Sequence, residues 1–132
     1  MLSLGMAKVL VIDDVQMMRL YLRRCLEKAG HEVEDWMPLS AMDIPDRIKA
    51  VAPDLLLTDY SMAGCNGATV ARMAKKADPE LPVIVLSAFV DEVVKLGLHK
   101  AGVRRILSKP IKPEALLLEI QAVLEGVAAV GV

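Results

Sequence analysis

Apolar and polar positions along this chain fall into blocks of two kinds. Four short runs, Lys8 to Ile12 (KVLVI), Asp54 to Leu57 (DLLL), Val83 to Leu86 (VIVL) and Val103 to Leu107 (VRRIL), are aliphatic or β-branched and bounded by turn or charged residues. That is the pattern of strands buried on both faces of a parallel sheet. A fifth run, His31 to Asp35 (HEVED), follows Ala29-Gly30 and is more polar, as suits an edge strand. Between the runs, apolar residues recur at helical spacing. From Val15 to Ala29, the residues Met18, Tyr21, Leu22, Cys25, Leu26 and Ala29 form one stripe, with Arg19, Arg23 and Glu27 predicted to face away and Gly30 to end the helix. Further helices are predicted over Ser40 to Val51, Asn66 to Lys76, Val90 to Ala101 and Pro113 to Glu125. Ser40 and Asn66 suit helix caps, Gly102 a terminator, and Pro113 a first turn.

Alternating strands and helices with short connections imply a parallel sheet covered on both faces, because right-handed crossovers put the helices there. The expected fold is α/β, a three-layer α/β/α sandwich around a five-stranded parallel sheet. Its expected order is 2-1-3-4-5, the flavodoxin-like arrangement common for five strands. The 132 residues suit one domain. Its expected bounds are 7–125, with 1–6 an N-terminal extension or expression scar and 126–132 a C-terminal tail that frays or packs loosely.

Composition narrows the partners. Sixteen basic and 17 acidic residues give a net charge of −1, so no global field favours nucleic acid or an anionic membrane. Hydrophobic residues make up 55%, but charge interrupts every apolar run well short of the ~18 residues that membrane insertion needs. Cys25 and Cys65 have neither CxxC nor metal-ligand spacing and come without a secretory leader, which points to a reduced cytoplasmic compartment.

Candidate chemistry sits after the apolar runs. Asp13 and Asp14 follow the first, Asp59 the second, Ser87 the third and Lys109 the fourth. In an open α/β sheet the carboxyl ends of the strands face one crevice, where ligands bind. Three carboxylates brought together there must relieve their repulsion by raised pKa values or by a cation. Mg2+ suits the case, since it takes one or two carboxylates plus water and a phosphate oxygen. Asp59 stands alone at its strand tip, where a carboxylate can attack phosphorus to form an acyl phosphate. Lys109 and Ser87 would then meet the new phosphoryl oxygens. Taken singly, Ser87 is equally an ordinary strand-end hydroxyl, and Lys109 a solvated lysine.

The runs VLVIDDVQMMR, DLLLTDYSMAGCNG, PVIVLSAF and RRILSKP, in that order and spacing, resemble the receiver domain of two-component response regulators, the stand-alone, chemotaxis-regulator-like kind. The resemblance spans Ala7 to Glu125. It implies that Asp59 is the phospho-acceptor, that Asp14 is a direct Mg2+ ligand and Asp13 acts largely through water, and that the backbone carbonyl of Ser61 completes the protein ligands. It also implies that Lys109 bridges to the phosphoryl group, that Ser87 is the switching hydroxyl, and that Lys109-Pro110 is cis. The implied partners are a sensor histidine kinase or histidine phosphotransfer protein and a downstream protein target. The chain departs from the family pattern at Ile106, where Tyr or Phe is usual, at Ala63 in place of proline, and at Arg104-Arg105 in place of an acidic pair. These positions concern the output surface rather than phosphorylation.

Met17 and Leu20 fall off the buried stripe of the first helix, beside the acidic crevice, and are either scattered exposed residues or a docking patch for the phosphodonor. Phe89 and Ser61, each two residues past a site residue, are placed at the pocket rim, where Phe89 would hinder water. His31 and His99 lack ligand spacing, and Trp36 reads as a packing anchor. Two rivals accompany the phosphorylation reading. One is a phosphorylation-independent interaction module of the same fold. The other is a phosphatase of the haloacid dehalogenase type, which requires Asp-x-Asp where this chain has Asp13-Asp14-Val15. A P-loop is excluded by the lack of GxxxxGK[ST].

Overall fold

The computed structural model describes residues 6–126, so the expectations for Met1 to Gly5 and for 127–132 lie outside the described residues. Five parallel strands form the sheet: β1 (Lys8–Ile12), β2 (Glu32–Trp36), β3 (Leu55–Asp59), β4 (Val83–Ser87) and β5 (Arg105–Ser108). Their spatial order is β2-β1-β3-β4-β5, the order expected. Five helices connect or follow them: α1 (Gln16–Lys28), α2 (Ile44–Val51), α3 (Gly67–Ala77), α4 (Glu92–Lys100) and α5 (Pro113–Leu124). Among the described residues no helix is long and apolar enough to cross a membrane.

Strand alternation divides the core in two. Val9, Val11, Leu55, Leu57, Ile84, Leu86 and Leu107 face one way and pack with Leu22 and Leu26 of α1 and Leu116, Ile120 and Val123 of α5. Leu10, Ile12, Leu56, Val83 and Val85 face the other way, against Ile44 and Ile48 of α2, Val70 and Ala74 of α3 and Leu98 of α4. This is why the inner strands read as unbroken apolar runs while β2, at the edge, carries exposed Glu32 and Glu34.

Several boundaries and orientations differ from expectation for local reasons. β3 and β4 continue into Asp59 and Ser87, because the ladder pairs Asp59 with Leu86 and Ser87 with Ser108. β5 starts two residues late, since Val103 N–H still closes α4 onto Leu98 O. Ser40 caps a 3-10 turn (Ala41–Asp43) rather than α2 itself, which opens with Pro45 in its first turn. Asn66 caps α3 as expected, while α4 takes Asp91, whose carboxylate accepts from Val94 N. Between β3 and α3, Ser61–Met62 and Cys65–Asn66 form a small antiparallel hairpin that periodicity does not reveal. On α1 the stripe is narrower than expected: Tyr21 is 40% exposed and Ala29 is exposed. Arg19 does not face away; it is folded against the sheet's edge, beside Asp35.

Gly67 opens α3 where the chain closes on itself, its N–H donating to Tyr60 O at 2.7 Å. A Cβ there would stand 3.2 Å from Tyr60 Cα and 3.2 Å from Val85 Cγ1. Gly67→Ala should therefore push on the backbone next to Asp59 and destabilise by about 1–3 kcal/mol, as overpacking does. A urea midpoint equal to that of the wild type would refute this close approach.

Candidate functional site

The ladder builds the site. Ile12 pairs with Thr58, so the next residues along both strands, Asp13 and Asp59, stand side by side at the sheet's carboxyl edge. Asp14 follows immediately. One carboxylate oxygen from each of Asp13, Asp14 and Asp59 lies within 4.8 Å of the others, a group able to hold a metal ion. Beyond β5 the chain stays paired, Lys109 N–H donating to Ser87 O at 2.8 Å. This brings the Lys109 ammonium to 2.8 Å from Asp59 Oδ1 and 3.6 Å from Asp13 Oδ2. The Lys109-Pro110 peptide is cis.

Burial makes this cluster costly. Asp13 is fully buried; its Oδ1 accepts from Val15 N–H at 2.8 Å, but its Oδ2 has no hydrogen-bond partner. Desolvation chiefly, and then the charges of Asp59 and Asp14, raise its pKa, against the opposing pull of the Val15 N–H and Lys109. Three carboxylates against one ammonium leave two negative charges unbalanced, which one divalent cation would cancel. An orphaned buried oxygen within an all-oxygen donor set fits a hard ion such as Mg2+ better than a soft one. Cys65 adds no thiolate here, since burial and then Asp14 push its pKa up.

Ser87 is buried on the α4 side of the same edge, and its hydroxyl donates to Phe89 O at 2.7 Å. Asp59, Ser61, Ser87, Phe89, Val94 and Lys109 line a cavity of about 330 Å³. Phe89 lines the rim but is 72% exposed, so it leaves the cavity largely uncovered. All the candidate residues of the crevice thus meet. His31 is buried away from it, its Nδ1 accepting from Ala7 N–H at 3.2 Å, and burial lowers its pKa. Trp36 packs on the core as expected and also carries Arg47 over its ring at 4.6 Å.

Sequence reasoning missed the Arg19 contacts. Its Nη1 donates to Asp13 O at 2.7 Å and its Nε to Asp35 Oδ2 at 3.2 Å. Arg19 and Arg23, spaced i,i+4 and so neighbours on one helix face, would have been the signal when set beside a lone Asp35 at the end of the edge strand.

The response regulator receiver domain description matches residues 9–121, which contain the whole acidic edge and its lysine. This chain belongs to that family. It is 35% identical over 126 residues to Protein PilH of Pseudomonas aeruginosa, covering 92% of this chain and 100% of that one. It is 29% identical over 110 residues to Chemotaxis protein CheY of Thermotoga maritima, covering 83% and 91%. The solved structure of Vibrio cholerae chemotaxis protein CheY4 superposes with a TM-score of 0.80 at 26% identity, covering 89% of this receiver and 98% of that chain.

The raised pKa of Asp13 has a definite sign. A folded state that holds the proton more tightly than the unfolded chain loses stability as pH rises from the ordinary 3.8 through the folded value, and the deficit persists above it. In metal-free buffer the melting temperature of Asp13→Asn should therefore gain on that of the wild type as pH rises above about 4. Millimolar Mg2+ should raise the melting temperature of the wild type much more than that of the variant. A wild-type-to-variant difference that is flat with pH would refute the cost assigned to ionised Asp13.

Proposed function

We propose that this receiver is a single-domain, cytoplasmic response regulator that accepts a phosphoryl group from a partner's phosphohistidine onto Asp59, with Mg2+ as cofactor. The supporting observation is the Asp59 carboxylate at a strand tip, in one cavity with a lysine ammonium at 2.8 Å and two further carboxylates alongside. Asp13, Asp14, Asp59 and the Ser61 backbone carbonyl would hold the metal, Asp13 largely through water. When bound, Mg2+ would neutralise the incoming phosphoryl charge.

The chain's own residues do the rest. A carboxylate oxygen of Asp59 attacks phosphorus as the P–N bond to the partner imidazole breaks, and the imidazole leaves and takes up a proton. Lys109 moves its ammonium from the carboxylate to a phosphoryl oxygen. Ser87 gives up its bond to Phe89 O for another. Phosphoryl transfer asks mainly for this positioning and charge stabilisation. The protein turns over no separate substrate: it catalyses only its own phosphorylation and dephosphorylation, and signals through a downstream protein target or a phosphorelay.

The phosphodonor has a surface to meet. Met17, Leu20, Tyr21, Arg24, Lys28 and Leu117 line an apolar groove of about 710 Å³ between α1 and α5. Met17 is 76% exposed, a flexible apolar side chain suited to an adaptable contact. We place a helix of the sensor kinase or histidine phosphotransfer protein here.

Two measurements test these statements. Incubation with Mg2+ and a small acyl phosphate should add one phosphate to the intact mass, and Asp59→Asn should abolish the addition. No added mass in the wild type would leave the phosphorylation-independent module, and multiple turnover of a phosphate ester would indicate a phosphatase. Separately, Met17→Glu with Leu20→Glu should slow transfer from the phosphorylated partner about 10-fold or more, a loss typical of anchor residues, while labelling by the acyl phosphate stays unchanged. Equal slowing of both would show that the groove is not a docking surface.

A further inference from the structure

We infer that Arg19 is a positioning residue for the metal-binding acids: its guanidinium, braced by Asp35, fixes the peptide from which the Asp14 carboxylate projects. The inference rests on the Mg2+ reading of the acidic edge. Among the described residues the Asp14 carboxylate has no hydrogen bond or ion pair of its own. Its place is therefore set by the backbone beneath it. That backbone is the Asp13–Asp14 peptide, whose carbonyl, Asp13 O, receives Arg19 Nη1 at 2.7 Å.

The clamp is itself held. Arg19 Nε donates to Asp35 Oδ2 at 3.2 Å, and Arg23 Nη1 donates to Asp35 Oδ1 at 2.6 Å. Arg23 in turn pairs with Glu27 at 3.1 Å. The side chains of Arg19 and Asp35 are only 16% and 19% exposed, so these charge-assisted bonds are shielded from water. One planar guanidinium thus ties three elements at one point: α1, the end of β2, and the loop leaving β1 that carries both acids. Lysine could not do this, because a point charge on a flexible stem lacks the rigid fork that spans a carbonyl and a carboxylate.

Charge and geometry make opposite forecasts. As a bare cation near three carboxylates, Arg19 opposes a second cation, and its removal would tighten Mg2+ binding. As a clamp it keeps Asp14 in place, and its removal weakens binding. Arg19→Ala, Arg19→Lys and Asp35→Ala should each weaken Mg2+ binding about 10-fold or more, the usual cost of losing a group that orients a metal ligand. The titration is read by fluorescence of Trp36, the sole tryptophan, whose carbonyl accepts from Asp13 N–H at 3.4 Å. Labelling by an acyl phosphate should return to the wild-type rate at saturating Mg2+. Affinity that is unchanged or tighter in the folded Arg19→Lys variant would overturn the inference, as would a rate that stays low at saturating Mg2+. A wild type that binds no Mg2+ would instead overturn the proposed function.

Discussion

Three carboxylates crowd one edge of a parallel sheet where desolvation is severe, and a single ammonium faces them. Much of the local architecture answers that constraint. The register that sets Ile12 beside Thr58 leaves Asp13 and Asp59 as neighbours with no room to part. The ladder that continues from β5 into Lys109 delivers the ammonium to Asp59. What is left over, a buried Asp13 oxygen without a hydrogen-bond donor, is a free-energy cost and, under the proposed function, a seat for a divalent ion. Binding and destabilisation are thus two readings of the same crowding, as expected where strain is kept at a functional site.

The alternation of apolar runs and helical stripes made the parallel sheet legible, its order being the one common for five strands, and with it the meeting of Asp13, Asp14, Asp59, Ser87 and Lys109, because such a sheet collects its strand ends on one side. Features that depend on one side chain reaching a particular backbone atom were illegible. Arg19 reads as a solvent-facing helix residue by periodicity, yet its long stem lets the guanidinium fold back onto Asp13 O. Tyr21 reads as core, but α1 buries only Leu22 and Leu26, and Tyr21 stands on the helix's flank, where it lines the groove with α5. The Ser61–Asn66 hairpin is two residues wide on each side, below the length at which a pattern of two can register.

The groove and the site share an element. α1 supplies Met17 and Leu20 to the groove and Arg19 to the acidic loop, from different faces of the same turns. Under the proposed function, a partner helix seated on α1 would therefore press on the element that holds the loop of Asp13 and Asp14. Docking and metal placement would be linked through a rigid helix rather than through a chain of loose loops, with a coupling limited to the difference in contacts between the two states.

Under the proposed function, Ile106, which is not aromatic, leaves any switching to other groups. Ile106 pairs with Val85 in the ladder and packs, half-buried, against the core on the α4 side, so it has no large ring to swing. The site meets α4 through Val94, which lines its cavity, and through the main chain, where Ser87 Oγ donates to Phe89 O at 2.7 Å and accepts from Phe89 N–H at 3.3 Å, two residues before Asp91 caps α4. Under the proposed function a phosphoryl group that claims the Ser87 hydroxyl releases that bond and frees the segment leading to the cap. One neutral hydrogen bond is worth about 1 kcal/mol net, whereas carrying a two-state equilibrium from 1:99 to 99:1 takes about 5.5 kcal/mol. The hydroxyl alone therefore cannot drive the change. The larger share has to come from the charged contacts, chiefly the Lys109 ammonium exchanging a carboxylate for a phosphoryl oxygen, with Ser87 deciding which segment moves.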